Sequence, residues 1–203
     1  MSRHNVQRSE NLRRALAQEA ARIMAEHGIR DFLIAKRKAA ERMGVSTSAA
    51  VLPRNVEIED ALAEYQRLFG GESHVETLRD QRRAALNAML YLQEFEPRLV
   101  GSVLSGTATE YSAVQLHLFA DRAEEVTIKL MDDEIPHEIT EKKVRMNAER
   151  VLAYPGVRFE LDDQSIEAVV FPHDGIRQAP VSPVDGRPMK RANKLEVEAL
   201  LDS

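Results

Sequence analysis

The sequence contains no cysteine, and this absence excludes several classes of site. Without thiols the chain can form neither a disulfide framework nor a cysteine-based zinc site, and it has no thiol nucleophile. No segment approaches the roughly 18 apolar residues needed to span a bilayer, and the N-terminal residues lack the apolar core of a signal peptide. These absences predict a cytoplasmic protein without a membrane partner.

Several catalytic motifs are also missing. The sequence has no Gly-x-x-x-x-Gly-Lys-Ser/Thr loop, so an ATPase of that class is not indicated. The stretch His137 to Glu141 begins like a zinc protease helix, but it lacks the second histidine and adjoins Pro136. The run Gly-Ser-Val-Leu-Ser-Gly does not match the Gly-x-Ser-x-Gly motif of serine hydrolases, and no base can be assigned to its serines.

The composition is that of an ordinary folded protein. The chain has 203 residues, 43% of them hydrophobic and 30% charged, which allows one large domain or two small ones. A net charge of -5 disfavours broad binding to a nucleic-acid backbone, although 28 lysines and arginines leave a local basic patch open. Nucleic acid therefore remains an open partner class.

Apolar residues recur at helical spacing over residues 5–95 and predict four helices. The first is predicted to end at His27-Gly28, and Asp31 and Asn55 are predicted to cap the second and third. Gly70-Gly71 is predicted to end the third helix. A capping box from Ser73 to Glu76 is predicted to open the fourth, which runs to about residue 95. Residues 46–54 are interpreted as a connector.

The stretch from residue 98 to residue 121 organises the rest of the chain. Arg98 to Leu104 is predicted to be a strand, with a break at Ser105-Gly106. A second strand is predicted from Val114 to Phe119, and its side chains alternate between two faces. The core face comprises Val114, Leu116 and Leu118, and the opposite face comprises Ala113, Gln115, His117 and Phe119. His117 is interpreted as a hydrogen-bonded structural histidine.

The remaining sequence predicts a helix over 121–134 and strands over 140–146 and 151–161. Tyr154-Pro155-Gly156 predicts a bend or bulge in the latter strand, and a hairpin turn through Asp163-Gln164 leads to another strand. The tail over 172–192 is irregular, and a final helix follows it. The fold class is therefore α+β, a small mixed sheet backed by helices and preceded by a helical region.

One stretch of the chain resembles the signature of the nucleotidyltransferase superfamily. It consists of Val100-Gly101-Ser102, a gap of residues 103–112, and then residues 113–116. That superfamily includes polymerase β, kanamycin nucleotidyltransferase and the minimal nucleotidyltransferases of bacterial toxin–antitoxin pairs. The first half of its signature is a hydrophobic residue, then Gly, then Gly or Ser. After a gap, the second half is Asp, a hydrophobic residue, Asp or Glu, and another hydrophobic residue. Here Ala113 and Gln115 stand where the two acids are expected. The family's third carboxylate, on a later strand, is matched by Glu167, which alternates outward while Ile166, Ala168 and Val170 alternate inward.

The resemblance implies a nucleotidyltransferase-like domain over 73–203, with its C-terminal loop and helix, and an accessory helical region over 1–72. It also implies that Glu167 is the remaining catalytic and metal-binding carboxylate. Two magnesium ions require anionic oxygen ligands, which Ala113 does not offer and Gln115 replaces with one neutral carbonyl. The backbone amides around Gly101-Ser102 and the Ser102 hydroxyl can still receive a phosphate without metal.

A basic cluster in the tail is a second candidate nucleotide contact. Arg187, Lys190 and Arg191 are suited to binding a triphosphate. The alternative is a tethered loop whose cations meet surface acids. The basic stretch of the second helix is interpreted as a solvated face rather than a nucleic-acid contact.

Two functional hypotheses follow. In the first, the chain keeps the fold without two-metal catalysis and binds a nucleoside triphosphate or a protein partner as a regulatory module, with no cofactor. In the second, it is an active divergent nucleotidyltransferase that transfers a nucleoside monophosphate to an RNA, protein or small-molecule acceptor. The active enzyme would use Mg²⁺ held by Glu167, with Glu110 or Asp121 as further ligands. The missing pair of acids favours the first hypothesis.

Overall fold

The computed structural model describes residues 3–47 and 51–202. The chain forms two compact units. The helical unit comprises Met1–Val75, Thr109–Tyr111 and Pro183–Asp185, and the sheet unit comprises Glu76–Ala108, Ser112–Ser182 and Gly186–Ser203. The predicted regions met at residues 72 and 73, whereas the sheet unit begins at Glu76. Positions 48–50 of the predicted connector lie outside the described residues.

The described residues of the helical unit include the α-helices α1 (Arg3–His27), α2 (Phe32–Arg42) and α3 (Asn55–Tyr65). Their facing sides form a core in which alanine predominates, because small side chains allow the helices to approach closely. The buried members are Leu16, Ala17, Ala20, Ala21, Ile23, Met24, Ala35, Ala39, Ala40, Ile58 and Leu62. The cap predicted for α2 is confirmed, since the Asp31 carboxylate accepts from the Leu33 and Ile34 amides at 2.7 and 3.0 Å.

The predicted cap of α3 is wrong by one residue. Arg54 is the N-cap, and its backbone N–H donates to the Glu57 carboxylate at 2.7 Å. Asn55 is the first helical residue, and its side-chain amide donates to the Pro183 carbonyl at 2.7 Å. Glu57 thus satisfies the amide of Arg54 and stabilises the start of α3 at that residue.

The predicted glycine stop after α3 is also wrong. A π-helical turn over Gln66–Gly70 follows α3 and leads directly into α4 (Gly71–Tyr91). Ser73 therefore lies inside α4 and cannot cap it, so the predicted capping box with Glu76 is not formed. A short 3₁₀ helix over Gln93–Phe95 follows α4 and leads the chain toward the first strand.

The sheet unit is built on five strands: β1 (Arg98–Val100), β2 (Val114–Phe119), β3 (His137–Arg145), β4 (Val151–Leu161) and β5 (Gln164–Phe171). Their order is β1-β2-β5-β4-β3. β2 and β5 are parallel, and the other neighbouring pairs are antiparallel. The predicted α+β class with a small mixed sheet is confirmed.

One face of this sheet forms the core of the unit. Val114, Leu116 and Leu118 of β2 pair in register with Ile166, Ala168 and Val170 of β5, and all six are buried. Each buried aliphatic side chain larger than alanine contributes about 1.5–3 kcal/mol relative to exposure. Helices α4, α6 (Glu124–Asp132) and α7 (Lys194–Leu201) supply Ala88, Val126 and Val197 to the same cluster. The opposite face is therefore the one available for polar side chains.

The predicted strand from Arg98 to Leu104 is correct only for its first three residues. Gly101, at φ +74°, ends β1 and begins a one-turn helix, α5 (Gly101–Ser105), which buries Val103 and ends before Gly106 at φ +84°. A short aliphatic run does not by itself distinguish a strand from a buried helical turn. The two glycines at positive φ supply the turns that make the helix possible.

The later boundaries differ by a few residues from those predicted. α6 is shorter than the predicted helix at both ends, and β3 begins at His137, so the residues resembling a zinc protease helix lie in a strand. The β4–β5 turn is Asp162-Asp163, both at positive φ, one residue earlier than predicted. The β3–β4 register is unbroken past Gly156, which excludes the predicted bulge there. A Cβ at Gly156 would lie 2.6 Å from the Ala168 carbonyl oxygen, so close strand approach accounts for this glycine.

The tail contains a 3₁₀ helix over His173–Arg177 before α7. Ala192 exchanges two backbone hydrogen bonds with Leu99 of β1, both at 2.9 Å. This bridge fixes the neighbouring Arg191 beside the sheet. None of the helices in the described ranges combines the length and hydropathy of a transmembrane span.

Candidate functional site

A row of polar side chains crosses the face of the sheet opposite the core. Gln115 on β2 is the register partner of Glu167 on β5. Glu167 in turn is the partner of Arg158 on β4, and Arg158 is the partner of Glu138 on β3. Because register partners point to the same face, these four residues form one continuous polar row. The sequence predicted the faces of Gln115 and Glu167, and the register makes them neighbours.

Gly101 lies directly against this row. A Cβ at Gly101 would be 2.3 Å from the Gln115 Oε1 atom and 3.1 Å from its Cδ. The missing side chain therefore leaves the space that the Gln115 amide fills. Val100 is the register partner of Gln115, so the end of β1 places Gly101 and Ser102 beside it.

Ala113 is the other position at which the resemblance implies a carboxylate. It precedes β2 and is 3% exposed, and the two-residue spacing assigns it to the same side of the strand as Gln115. Its methyl group offers neither a hydrogen-bond acceptor nor a metal ligand.

The environment of Glu167 determines whether a metal fits. Its Oε1 accepts from the Arg158 Nη2 at 3.3 Å, while the Arg158 Nη1 donates to the Glu138 Oε2 at 3.0 Å. Thus a guanidinium already balances the carboxylate that the resemblance assigns to metal binding. In the described ranges no three His, Asp or Glu side chains converge in a metal-binding group. One ion-paired carboxylate and one amide do not fit a pair of magnesium ions.

Arg191 is held against the same face of the sheet. Its Nε donates to the His117 Nδ1 at 3.0 Å, and its Nη1 donates to the Gly175 carbonyl at 2.8 Å. The guanidinium also lies over the rings of Phe119 and Phe171, 5.0 and 5.1 Å from their centroids. Burial lowers the pKa of Arg191 to about 10, so the side chain is cationic at neutral pH.

His117 is a buried neutral hydrogen-bond acceptor. Burial, and then the charges of Arg191 and Lys142, lower the pKa of His117 to about 3. Since its Nδ1 accepts from Arg191, the proton of the neutral ring is on Nε2. This agrees with the interpretation of His117 as a hydrogen-bonded structural residue.

The other predicted contacts are not members of the polar row. Lys190 and Arg187 are exposed in the tail. Asp121 is 82% exposed beyond the C-terminal end of β2, whereas Gln115 lies near its N-terminal end. Glu110 belongs to the helical unit. The structure therefore does not place Asp121 as a further ligand beside Glu167.

Sequence reasoning missed Arg158 and Glu138. The alternation of apolar and polar residues along β4 did carry a signal for Arg158. This residue stands between the buried residues Val157 and Phe159, so its side chain belongs to the opposite face of the strand. Which strand lies beside β4, and in which register, is not contained in that pattern. No family model matches the chain, and no curated protein is significantly similar to it in sequence.

Proposed function

We propose that this chain is a nucleotidyltransferase-like protein that binds a nucleoside triphosphate without two-metal catalysis and acts as a regulatory module. The observation that carries the proposal is the register pairing of Gln115 with Glu167 beside Gly101. These are three of the positions that the resemblance assigns to one pocket. An amide stands at one carboxylate position and an ion-paired glutamate at another, which supports binding over transfer.

The residues assigned to the ligand are those beside the row and in the tail. The amides of Gly101 and Ser102 and the Ser102 hydroxyl are suited to phosphate oxygens, and the Gln115 amide offers both a donor and an acceptor. Lys190 and Arg191 supply positive charge. Neutral and cationic donors of this kind bind phosphate without a bridging metal.

Isothermal titration of the full chain with each common nucleoside triphosphate, in Mg²⁺ and in EDTA, tests the proposal. We expect binding of equal affinity in both buffers, and a loss of up to about tenfold in Gln115→Leu, the value of one hydrogen bond. Glu141→Gln, an exposed change on β3, is the control and should bind normally.

Two results contradict the proposal in different ways. Binding that requires Mg²⁺ and disappears in Glu167→Gln would support the active enzyme, and label transfer from a nucleoside triphosphate to cellular RNA or protein would establish it. If no nucleoside triphosphate binds in either buffer, the nucleotide proposal is wrong.

A further inference from the structure

Three cationic side chains lie on the same polar face of the sheet as His117. Arg98 on β1 is the register partner of His117, and Arg191 donates to the His117 ring. Lys142 on β3 is the register partner of Tyr154 on β4. The Tyr154 ring lies 4.5 Å from that of Phe171, which also carries the Arg191 guanidinium. We call Arg98, Lys142 and Arg191 the cation cluster.

Within the described part of the chain, the cation cluster has no carboxylate partner. Among the described residues no ion pair joins Arg98, Lys142 or Arg191 to an Asp or Glu, whereas Arg158 on the same face has two. Arg98 donates instead to the carbonyls of Glu96 and Pro97, at 2.9 and 3.0 Å. Carbonyl oxygens accept hydrogen bonds but do not neutralise a full positive charge.

One hydrogen-bond donor of Arg191 is also left without an acceptor among the described residues. Its Nη2 atom is buried and has no hydrogen-bond partner among the described residues. A buried donor without an acceptor is destabilising. The positive charge of Arg98 adds to burial in lowering the pKa of Arg191, which shows that the two cations repel each other. A bound anion would relieve this repulsion.

From this arrangement we propose that the cation cluster binds the polyphosphate of the nucleotide. Arg98 and Lys142 lie on the two edge strands of the sheet, and Arg191 lies against side chains of β2 and β5 between them. Cations spread in this way over one face without counterions suit an extended ligand with several anionic oxygens. The cluster is adjacent to the polar row, because His117 lies two residues beyond Gln115 on β2, about 7 Å along the strand. One extended ligand can therefore contact both. The identity of the ligand as a nucleotide rests on the function proposed above, whereas the polyphosphate site itself does not.

Isothermal titration of the full chain in EDTA, with tripolyphosphate, ATP and adenosine as probes, tests this site. We expect Arg98→Gln and Lys142→Gln each to weaken tripolyphosphate and ATP binding by about tenfold, the scale of one charge-assisted hydrogen bond. Lys143→Gln is the matched control, since it removes the same charge from the adjacent, equally exposed residue of β3 on its opposite face. It should bind both ligands normally.

The outcomes separate the two proposals. If ATP binds but the two cluster variants match the control, the cation cluster is wrong and the nucleotide proposal stands. If tripolyphosphate binding depends on the cluster but ATP binds no more tightly than tripolyphosphate, the cluster stands and the nucleotide proposal fails. If neither tripolyphosphate nor ATP binds, both proposals are wrong.

Discussion

Gly101 and Gly186 have nearly the same φ angle but differ in what surrounds them. Their φ values are +74° and +75°, and a Cβ would meet the Gln115 amide at Gly101 but nothing within 4 Å at Gly186. We expect Gly101→Ala and Gly186→Ala each to lower the free energy of unfolding by about 1–2 kcal/mol, the cost of left-handed backbone for alanine. The similar loss is expected because a glutamine amide can rotate away from the added methyl.

The side-chain NMR resonances of Gln115 distinguish the two variants. They should shift in Gly101→Ala and stay unchanged in Gly186→Ala, because only the former displaces the amide. An unshifted Gln115 amide in Gly101→Ala would contradict the close approach of Gly101 to the polar row.

His117 makes stability depend on pH. Its folded pKa is about 3, below the ordinary value of 6.5, so the unfolded chain binds a proton that the folded chain does not between these values. The stabilisation is complete above pH 6.5 and decreases as pH falls toward 3. We expect protonation of His117 in the unfolded chain to lower the free energy of unfolding by roughly 2 kcal/mol between pH 7 and pH 5.

Urea denaturation at several pH values measures this effect. His117→Gln keeps an acceptor for Arg191 but cannot be protonated, so its stability should fall less on acidification than that of the natural chain. His173→Gln, at an exposed histidine of the same unit, is the control and should keep the full dependence. Equal slopes for all three proteins would show that His117 is not buried in its neutral form.

At the scale of elements, local chemistry predicted the end of α1 and the cap of α2, and it misplaced the starts of α3 and α4. Asp31 precedes an amphipathic run, and its carboxylate caps α2 as predicted. Asn55 also had the right chemistry, but Glu57 satisfies the amide of Arg54 and moves the start of α3 by one residue. The run after Gly101 was short and aliphatic, so the sequence did not reveal that α5 is helical.

The Asp31 cap gives a prediction at this scale. We expect Asp31→Ala to lower the stability of the helical unit by about 1 kcal/mol, because the Leu33 and Ile34 amides lose their acceptor. Asp60→Ala, an exposed change within α3, is the control and should cost less. Chemical denaturation followed by circular dichroism measures both. A cost for Asp31→Ala no greater than that for Asp60→Ala would show that the cap contributes nothing.

At the scale of the whole molecule, the site depends on which strands become neighbours. Alternation predicted that Gln115 and His117 share a face of β2, and that Glu167 points away from the core. It did not predict that β4 lies beside β5 in the register that pairs Arg158 with Glu167. Register is set by long-range packing and turn geometry, so these cross-strand contacts are absent from any local pattern.

The same register allows a metal site to be designed at the Gln115–Glu167 pair. Gln115→Asp would place two carboxylates opposite each other on neighbouring strands, about 5 Å apart at their backbones. Arg158 would still neutralise Glu167, so Arg158→Gln must accompany the change. We leave Ala113 unchanged in this design, because a carboxylate at this buried position would be desolvated.

We expect the Gln115→Asp/Arg158→Gln protein to bind Mg²⁺ measurably more tightly than the natural chain, and its ATP binding to become dependent on Mg²⁺. The matched control is Gln115→Asn/Arg158→Gln, which has a side chain of the same size without the second negative charge. Calorimetric titration with Mg²⁺ measures both proteins, and their melting temperatures confirm that both are folded. If the two folded variants bind Mg²⁺ equally weakly, side chains 115 and 167 do not share a pocket, and the nucleotidyltransferase-like interpretation loses the observation that carries it.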